Sequence, residues 1–264
     1  MKKDDLKNFP HLVRNISNWT EYTFYKGERG KRPLRFRTRP NAIRFEVTQS
    51  LYWVFKEIFV EDFYDIRRLL RHLPQDPVVI DVGANTGLFD LLILSKRKDA
   101  QVIAFEPLAT NVGILQKTID ANPILQERLR VFQKAVTGAP VDSITLYMED
   151  TSDNSEIASV FSDFDQRNTR SITVLAVTLS SVLREHEKVD LLKMDCEGSE
   201  YGILYDTPAE DLRRIRVMAI EVHQLDKERC NLDALDAYLE SLGYETTVTP
   251  ITTTTFYLEA HHAS

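Results

Sequence analysis

Short apolar runs alternate with longer amphipathic runs along the chain from Val78 onward. Runs such as VVI and VMAI are apolar throughout, as expected for strands that are buried on both faces of a sheet. Helical spacing of apolar positions predicts helices at residues 88–97, 109–120 and 232–242. Strand, helix and strand at intervals of roughly 20 to 30 residues are typical of βαβ units, so the pattern predicts an α/β fold with a parallel sheet.

Six runs from Val78 onward are predicted to be strands: PVVIDVG, QVIAFEP, SITLYM, ITVLAVTL, VDLLKMD and IRVMAIEVH. A further strand is expected at residues 251–258, ITTTTFYL, which could pair within this chain or with a second copy. Residues 149–170 are polar and turn-rich, and they are interpreted as an insertion or loop beside the sheet.

The chain before Val78 is less regular, so residues 1–75 are assigned to an N-terminal extension and residues 76–264 to the main domain. Apolar positions in the first part of residues 50–72 have helical spacing. Residues 26–44 contain eight Lys or Arg and one Glu. This basic segment is either solvated surface or a contact for an anionic acceptor such as a phosphorylated sugar.

Composition narrows the class of protein. The 264 residues are 28% charged and 43% hydrophobic, as in a globular protein. The chain has 40 acidic and 33 basic residues, which argues against a nucleic-acid-binding protein. No stretch of about 18 apolar residues predicts a membrane span, and no apolar stretch after the first lysines predicts a secretory signal. Two cysteines, Cys196 and Cys230, are expected to be free thiols, so a cytoplasmic location is predicted.

The segment DVGANTG at residues 81–87 is the strongest local signal. It places a carboxylate at the end of a buried strand, followed by a turn and an amphipathic helix. Gly83 and Gly87 permit sharp turns and close approach of a ligand to the backbone, and the helix N-terminus carries partial positive charge. A dinucleotide-binding turn would read G-x-G-x-x-G, whereas Asn85 occupies the position of its middle glycine. The segment therefore favours a nucleotide-type ligand other than a dinucleotide.

A second signal, Phe105-Glu106-Pro107, ends the next predicted strand, 25 residues after Asp81. In doubly wound nucleotide-binding folds an acidic residue at this place accepts hydrogen bonds from the ribose hydroxyls. Pro107 forces the chain to leave the strand. The order and spacing of the two signals predict a cofactor that contains adenosine.

Together, DVGANTG, FEP and LLKMDCEGSEY resemble the FkbM family of S-adenosylmethionine-dependent methyltransferases. The similarity extends to VTLSSVL, IEVH and FKEIFVEDFYD. It implies a class I methyltransferase (Rossmann-like) fold, with a mainly parallel seven-stranded sheet and helices on both faces. It also implies S-adenosyl-L-methionine as cofactor and methyl transfer to a hydroxyl of a sugar, glycan, glycolipid or related natural product.

The resemblance implies roles for individual residues. Those implied to bind the cofactor are Asp81, Gly83, Asn85, Gly87, Glu106, Pro107, Asn111, Ala135 and Asp195. Glu106 would bind the ribose, and Ala135 would leave room for the adenine edge. The loop SEIASVFSDFD matches the family only loosely, so the similarity defines the acceptor contacts less well than the cofactor contacts.

Ionisable residues cluster after two further strands. Asp195, Glu197 and Glu200 lie within six residues, and Glu221 and His223 end the strand that follows. Crowded carboxylates raise one another's pKa, which is common in catalytic groups. Asp195 or His223 is predicted to be the general base, and Glu197 or Glu221 to orient the base or the substrate. Glu200 is interpreted as an acid in the first turn of a helix.

A metal-dependent mechanism is the alternative at this site. Asp195, Glu221 and His223 could together hold Mg²⁺, which prefers oxygen ligands in octahedral geometry. The spacing does not require an ion, so no metal is predicted.

Other functions are less well supported by the motifs. Against a nicotinamide-dependent enzyme, the turn lacks the middle glycine and no Tyr-x-x-x-Lys pair follows it. A non-catalytic binding module would be indicated by a lost cofactor motif, and here the motif is intact. A nucleobase methyltransferase is disfavoured because the fifth predicted strand ends in MDCEG. The expected partner is a small molecule or glycan with a free hydroxyl, bound by residues 20–64 and 149–170. The oligomeric state stays open.

Overall fold

A computed structural model describes residues 3–149, 158–160 and 168–262. Its strands are β1 Leu34–Arg37, β2 Arg44–Val47, β3 Val78–Val82, β4 Gln101–Phe105, β5 Leu129–Phe132, β6 Ala135–Thr137, β7 Ser143–Glu149, β8 Ala158–Ser159, β9 Asn168–Thr178, β10 Leu191–Met194, β11 Val217–His223, β12 Tyr244–Pro250 and β13 Thr255–His262. Its α-helices are α1 Lys3–Asn15, α2 Thr20–Tyr25, α3 Tyr52–Phe55, α4 Ile66–Arg71, α5 Leu88–Lys96, α6 Ala109–Asp120, α7 Leu179–Arg184, α8 Glu200–Tyr205, α9 Ala209–Leu212 and α10 Leu232–Ser241. Short 3₁₀ turns occupy Lys26–Glu28 and Pro123–Leu125, and a π-helical turn occupies Lys56–Glu61.

The central sheet has seven strands in the order β12-β13-β11-β10-β3-β4-β5. The strands from β11 to β5 are parallel to one another, and β13 is antiparallel to both of its neighbours. This is the mainly parallel, seven-stranded sheet of the class I methyltransferase fold, as predicted. The three helices predicted by spacing are α5, α6 and α10, each within one residue of its expected end.

Both faces of this sheet are covered by apolar side chains. Val79 belongs to the cluster beneath α5 and α6, whereas Ile80 and Val82 belong to the cluster beneath α7, α8 and α10. Successive side chains of a strand point to opposite faces, so a strand covered on both sides is apolar at every position. The continuous apolar runs of the sequence follow from this double burial.

The N-terminal extension packs against the α5 and α6 face. Its hairpin of β1 and β2 contributes Phe36, whose ring stacks on Phe55 with centroids 4.2 Å apart. Tyr64 meets Phe89 of α5 edge to face at 5.0 Å. One apolar cluster therefore contains residues of the extension and of the sheet. The helical spacing in the first part of residues 50–72 is realised as α3 and the π-helical turn that follows it.

Two predicted strands lie outside the central sheet. SITLYM and ITVLAVTL form β7 and β9, which pair with β6 and β8 in a four-stranded sheet of order β6-β9-β7-β8. Buried and less buried positions alternate along β7, which is the pattern of a strand with one solvated face. The central sheet instead uses β5 and β12 as its edges. Edge strands have one neighbour and exposed positions, so neither has a continuous apolar run.

The last strand begins later than predicted. Residues 251–254 form a turn, and β13 pairs with β11 and β12 of the same chain. Among the described residues, no helix is both long enough and apolar enough to cross a membrane.

Candidate active site

The turn after β3 brings the backbone of two strand ends together. Gly83, Asn85 and Gly87 have φ of 78°, 52° and 76°, in the left-handed region that glycine enters without steric cost. A Cβ on Gly83 would lie 1.9 Å from the carbonyl oxygen of Asp195. A Cβ on Gly87 would lie 2.4 Å from Cδ1 of Leu115 in α6. The two glycines are therefore needed for packing as well as for the turn.

Glu106 ties this turn to the end of β4. Its Oε2 accepts the backbone N–H of Asn85 at 2.8 Å, and its Oε1 accepts the N–H of Leu108 at 3.0 Å and the side-chain amide of Asn111 at 3.2 Å. Burial raises the pKa of Glu106, and these three donors act in the opposite direction. The resemblance implies that Asn111 contacts the cofactor. Its hydrogen bond also holds Glu106, the residue implied to bind the ribose, in place.

Asp81 is buried beneath the turn. The Lys193 Nζ lies 3.0 Å from the Asp81 Oδ1 and donates to the Gly83 carbonyl at 2.8 Å. Burial and the Asp81 charge raise the pKa of Asp90 well above its usual range. Burial also raises the pKa of Asp81, and the Lys193 charge acts in the opposite direction. This network supports the backbone at Gly83 from below.

A pocket at these strand ends, here called the Glu106 pocket, contains most of the predicted cofactor residues. Those that line it are Gly83, Asn85, Glu106, Pro107, Asn111, Ala135 and Asp195. Asp81 and Gly87 do not line it. Ile144 and Leu146 of β7 also line it, and sequence reasoning missed them. Their apolar side chains carry no local signal that distinguishes them from ordinary core residues.

A second pocket, here called the Glu221 pocket, lies on the side of the extension. Trp53, Glu57 and Tyr64 line it, together with Lys193 and Glu221 from the strand ends. The two pockets share Gly83, Asn85, Asp195 and Glu197. With their open mouths included, the Glu106 and Glu221 pockets measure about 680 and 960 Å³.

The segments predicted to contact the acceptor differ in whether their residues line the Glu221 pocket. Of the aromatic residues before Val78, Trp53, Phe63 and Tyr64 line it, and Trp53 has 56% of its surface exposed. The basic residues of the segment 26–44 line neither pocket. Residues 150–157 and 161–167, which include most of SEIASVFSDFD, lie outside the described residues.

His223 lies between carboxylates beside the junction of the pockets. Its Nδ1 is 3.0 Å from the Glu200 Oε1, and its Nε2 is 3.3 Å from the Glu197 Oε2 and 3.7 Å from the Glu221 Oε1. The ring is not among the residues lining either pocket, whereas Asp195 and Glu197 line both. The structure thus brings the four predicted catalytic residues to one place, with His223 behind the carboxylates.

Glu200 has a larger role than its sequence position indicates. It begins α8, as predicted, but it is completely buried. Its Oε1 accepts the backbone N–H of His223 at 2.8 Å as well as contacting Nδ1, and its Oε2 accepts the N–H of Gly198 at 2.8 Å. Glu200 thereby fixes the orientation of the imidazole. The pair joins residues 23 positions apart on different elements, so no spacing rule could have revealed it.

The pKa values of Glu197, Glu221 and His223 are all raised, so near neutral pH these groups bind more protons than they would in water. Burial, followed by the Asp195 charge, raises the pKa of Glu197 to about 7 and that of Glu221 to about 9. Burial alone lowers the pKa of His223, but the hydrogen bond to Glu200 and the nearby carboxylates outweigh it and raise the pKa to about 10. At neutral pH His223 is an imidazolium, Glu221 is protonated, and Glu197 is close to half ionised.

Comparison with known proteins gives the family. The sequence profile of the methyltransferase FkbM domain matches residues 81–246. The chain belongs to the FkbM methyltransferase family. The match begins at Asp81 and includes both strand ends that meet at the junction of the pockets.

Two relatives can be aligned with about two thirds or more of this chain. Methyltransferase sdnD of Sordaria araneosa is 26% identical over 221 residues, which cover 74% of this chain and 82% of that one. The 31-O-demethyl-FK506 methyltransferase FkbM of Streptomyces tacrolimicus is 29% identical over 200 residues, which cover 66% and 75%. The crystal structure of precorrin-6y C5,15-methyltransferase from Geobacter metallireducens GS-15 aligns with a TM-score of 0.46 at 12% identity, over 76% of this chain and 88% of that chain.

Three of the ionisable side chains at this site could together contact a cation. Ligand atoms of Asp195, Glu197 and His223 lie within 4.8 Å of one another. The magnesium site considered from the sequence consists of Asp195, Glu221 and His223. Asp195 and His223 belong to the group found in the structure, and Glu197 is its third member. That the reaction needs no metal stays a prediction.

Proposed function

We propose that this chain is an S-adenosylmethionine-dependent O-methyltransferase that acts on a hydroxyl of a sugar, glycan, glycolipid or related natural product. The observation that carries the proposal is the meeting of two pockets at Gly83, Asn85, Asp195 and Glu197. The Glu106 pocket takes the cofactor, and the Glu221 pocket takes the acceptor. Membership of a methyltransferase family supports this assignment.

The residues of the Glu106 pocket fit S-adenosylmethionine. The Glu106 Oε1 already accepts two hydrogen bonds, whereas Oε2 accepts one, from Asn85. A carboxylate oxygen has two lone pairs, so Oε2 can accept a further bond from a ribose hydroxyl. Ala135 is small, which leaves space beside it for the adenine ring. When bound, the cofactor supplies a methyl group activated by its sulfonium.

We assign the general base to Glu197. Its side chain lines both pockets, and its pKa near 7 matches the requirement for efficient proton transfer near neutral pH. Asp195 lines both pockets too, which supports a role in holding the acceptor hydroxyl. The acceptor oxygen loses its proton to Glu197 as its new bond to carbon forms. Holding that oxygen in line with the methyl carbon supplies much of the rate by proximity.

His223 and Glu200 act as positioning residues in this scheme. Glu200 binds the Nδ1 side of the ring, so the Nε2 side is directed at Glu197. The imidazolium lowers the pKa of Glu197 relative to burial alone. Removing the imidazolium charge should therefore move the activity profile to higher pH.

The cofactor assignment is tested by isothermal titration with S-adenosylmethionine and S-adenosylhomocysteine. We expect micromolar binding that Glu106→Ala loses and that the exposed control Glu127→Ala keeps. NAD⁺ serves as a second ligand, and it should not bind. Equal affinity in a folded Glu106→Ala variant would contradict the ribose assignment, and binding of NAD⁺ alone would contradict the proposed function.

The reaction is tested with a panel of free sugars, nucleotide sugars and macrolide-type alcohols. Release of S-adenosylhomocysteine measures turnover, and nuclear magnetic resonance of the product locates the methyl group. Glu197→Gln should lower kcat by about 10²–10⁴-fold while keeping cofactor affinity. His223→Asn should shift the pH profile upward. Methylation of nitrogen would reject the hydroxyl class, and a Glu197→Gln variant with the wild-type rate would reject the base.

A further inference from the structure

A second group of metal-ligating side chains lies apart from both pockets. It consists of His72, Glu259 and His261, whose ligand atoms all lie within 4.8 Å of one another. The two imidazole rings have centroids 4.1 Å apart. None of the three lines the Glu106 or the Glu221 pocket. The proposed methyl transfer does not use them.

The fold explains why these residues meet. Glu259 and His261 are two positions apart on β13, so their side chains point to the same face of the sheet. His72 directly follows α4 in the extension. Glu259 is 1% exposed, whereas His72 is exposed. The group therefore has a fixed, buried carboxylate at its base and an imidazole that solvent can reach.

Neighbouring groups orient the Glu259 carboxylate. The Tyr257 hydroxyl donates to Oε2 at 3.1 Å, while Oε1 contacts the His261 Nε2. Second hydrogen bonds of this kind are what hold a ligating carboxylate in place at metal sites. The Arg68 Nε also lies 3.3 Å from Oε1, on a side chain that is 35% exposed. A metal ion bound at Oε1 would therefore take the place of the Arg68 contact.

We propose that His72, Glu259 and His261 bind a divalent transition metal ion such as Zn²⁺. Two imidazoles and one carboxylate suit zinc and its first-row neighbours, whereas Mg²⁺ prefers oxygen ligands. Zinc binds such ligands at about 2.0–2.2 Å, so donor atoms already within 4.8 Å of one another need small rotations to converge. The ion takes the place of the proton between the His261 Nε2 and the Glu259 Oε1, which is released to solvent, and water completes the coordination.

Binding of the ion would link two parts of the chain. His72 belongs to the extension, and the other two ligands belong to β13 of the central sheet. Zn²⁺ should therefore stabilise the contact between them, because a ligand that binds only the folded state raises its stability. This inference does not depend on the proposed methyl transfer.

The test uses the full chain freed of metal by chelation. Isothermal titration with Zn²⁺ should give one equivalent, and the absorption spectrum of added Co²⁺ should report the nitrogen and oxygen ligands. We expect His72→Ala and His261→Ala each to weaken Zn²⁺ binding at least about tenfold, one lost ligand being worth 1.4 kcal/mol or more. His186→Ala, which removes a histidine elsewhere, should leave it unchanged. Zn²⁺ should also raise the Tm of the wild type but not of His72→Ala.

Three outcomes would overturn the proposal. They are the absence of Zn²⁺ binding by the wild type, unchanged binding by both histidine variants, and loss of binding in His223→Ala with retention in His72→Ala. The last result would move the ion to the catalytic cluster. Because His72 is exposed, its alanine variant is expected to fold. Arg68→Gln provides a further check, since removing the neighbouring cation should tighten Zn²⁺ binding.

Discussion

The Glu106 pocket is formed by backbone turns and by one carboxylate with three hydrogen-bond donors, whereas the Glu221 pocket carries a group of ionisable side chains. In the first, Gly83 has no room for a Cβ, so steric contact fixes the shape. In the second, Glu197 and Glu221 line the pocket and His223 lies behind them; all three have raised pKa values, so proton binding sets the charge. The two pockets should therefore respond to different perturbations, the first to added volume and the second to pH.

The largest effect on cofactor binding is expected where volume is added at Gly83, beside the Glu106 pocket. Gly83→Ala places a methyl group 1.9 Å from the Asp195 carbonyl oxygen. We expect the strain to cost about 1–3 kcal/mol of stability, and displacement of the turn to weaken S-adenosylmethionine binding by up to about 100-fold. Titration and thermal unfolding measure both consequences. Gly113→Ala is the control, because nothing lies within 4 Å of its Cβ, and it should bind as the wild type does. Equal behaviour of the two variants would contradict the steric account.

Lys193 lines the Glu221 pocket and supports the Gly83 turn that both pockets share. It pairs with Asp81 and donates to the Gly83 carbonyl, so Lys193→Met leaves a buried carboxylate without its cation. Breaking a buried pair in this way costs about 3–5 kcal/mol, which urea unfolding measures. Lys188→Met, at an exposed position, should cost far less. A cost for Lys193→Met below about 1 kcal/mol would show that Asp81 takes up a proton instead.

The ionisable groups at the Glu221 pocket should make the free energy of unfolding depend on pH. Folding raises the pKa of Glu197 and Glu221 from 4.5 to about 7 and 9, and that of His223 from 6.5 to about 10. Each raised pKa means that the folded state holds its proton more tightly than the unfolded chain. The stability that these groups contribute is therefore complete at low pH and is lost as pH rises from about 5 to about 10.

Glu221→Gln removes the contribution of one titrating group to this pH dependence. Glutamine keeps a neutral side chain at all pH values, so the variant should match the wild type near pH 5. At pH 8 to 9 it should be more stable than the wild type by about 1–3 kcal/mol. Urea unfolding across this range measures the difference. Glu245→Gln, at an exposed position, should show no such trend. If Glu221→Gln were instead less stable than the wild type at pH 8 to 9, the Glu221 carboxylate would be ionised and stabilising in the folded state.

The cofactor half of the site could be predicted from sequence because its residues lie in short segments at strand ends. Gly83, Asn85 and Glu106 are local signals, since a turn and a strand-end acid require particular residue types at fixed spacing. The Glu200 and His223 pair could not be predicted, because two distant elements create it. The edge strands β5 and β12 were missed for a related reason. Their burial comes from neighbours rather than from an apolar pattern of their own.

The smallest effect is expected at the basic segment of the extension. Arg35 and Arg37 are exposed and line neither pocket, although the composition of this segment had suggested an anionic acceptor. The Arg35 pair with Glu46, at 2.9 Å, is exposed on both sides, so Arg35→Gln with Arg37→Gln should change stability by less than about 1 kcal/mol. Acceptor KM should be unchanged, whereas Trp53→Ala should raise it, because Trp53 lines the Glu221 pocket. A tenfold rise in KM for a phosphorylated acceptor in the arginine variant would bring the basic segment into the acceptor site.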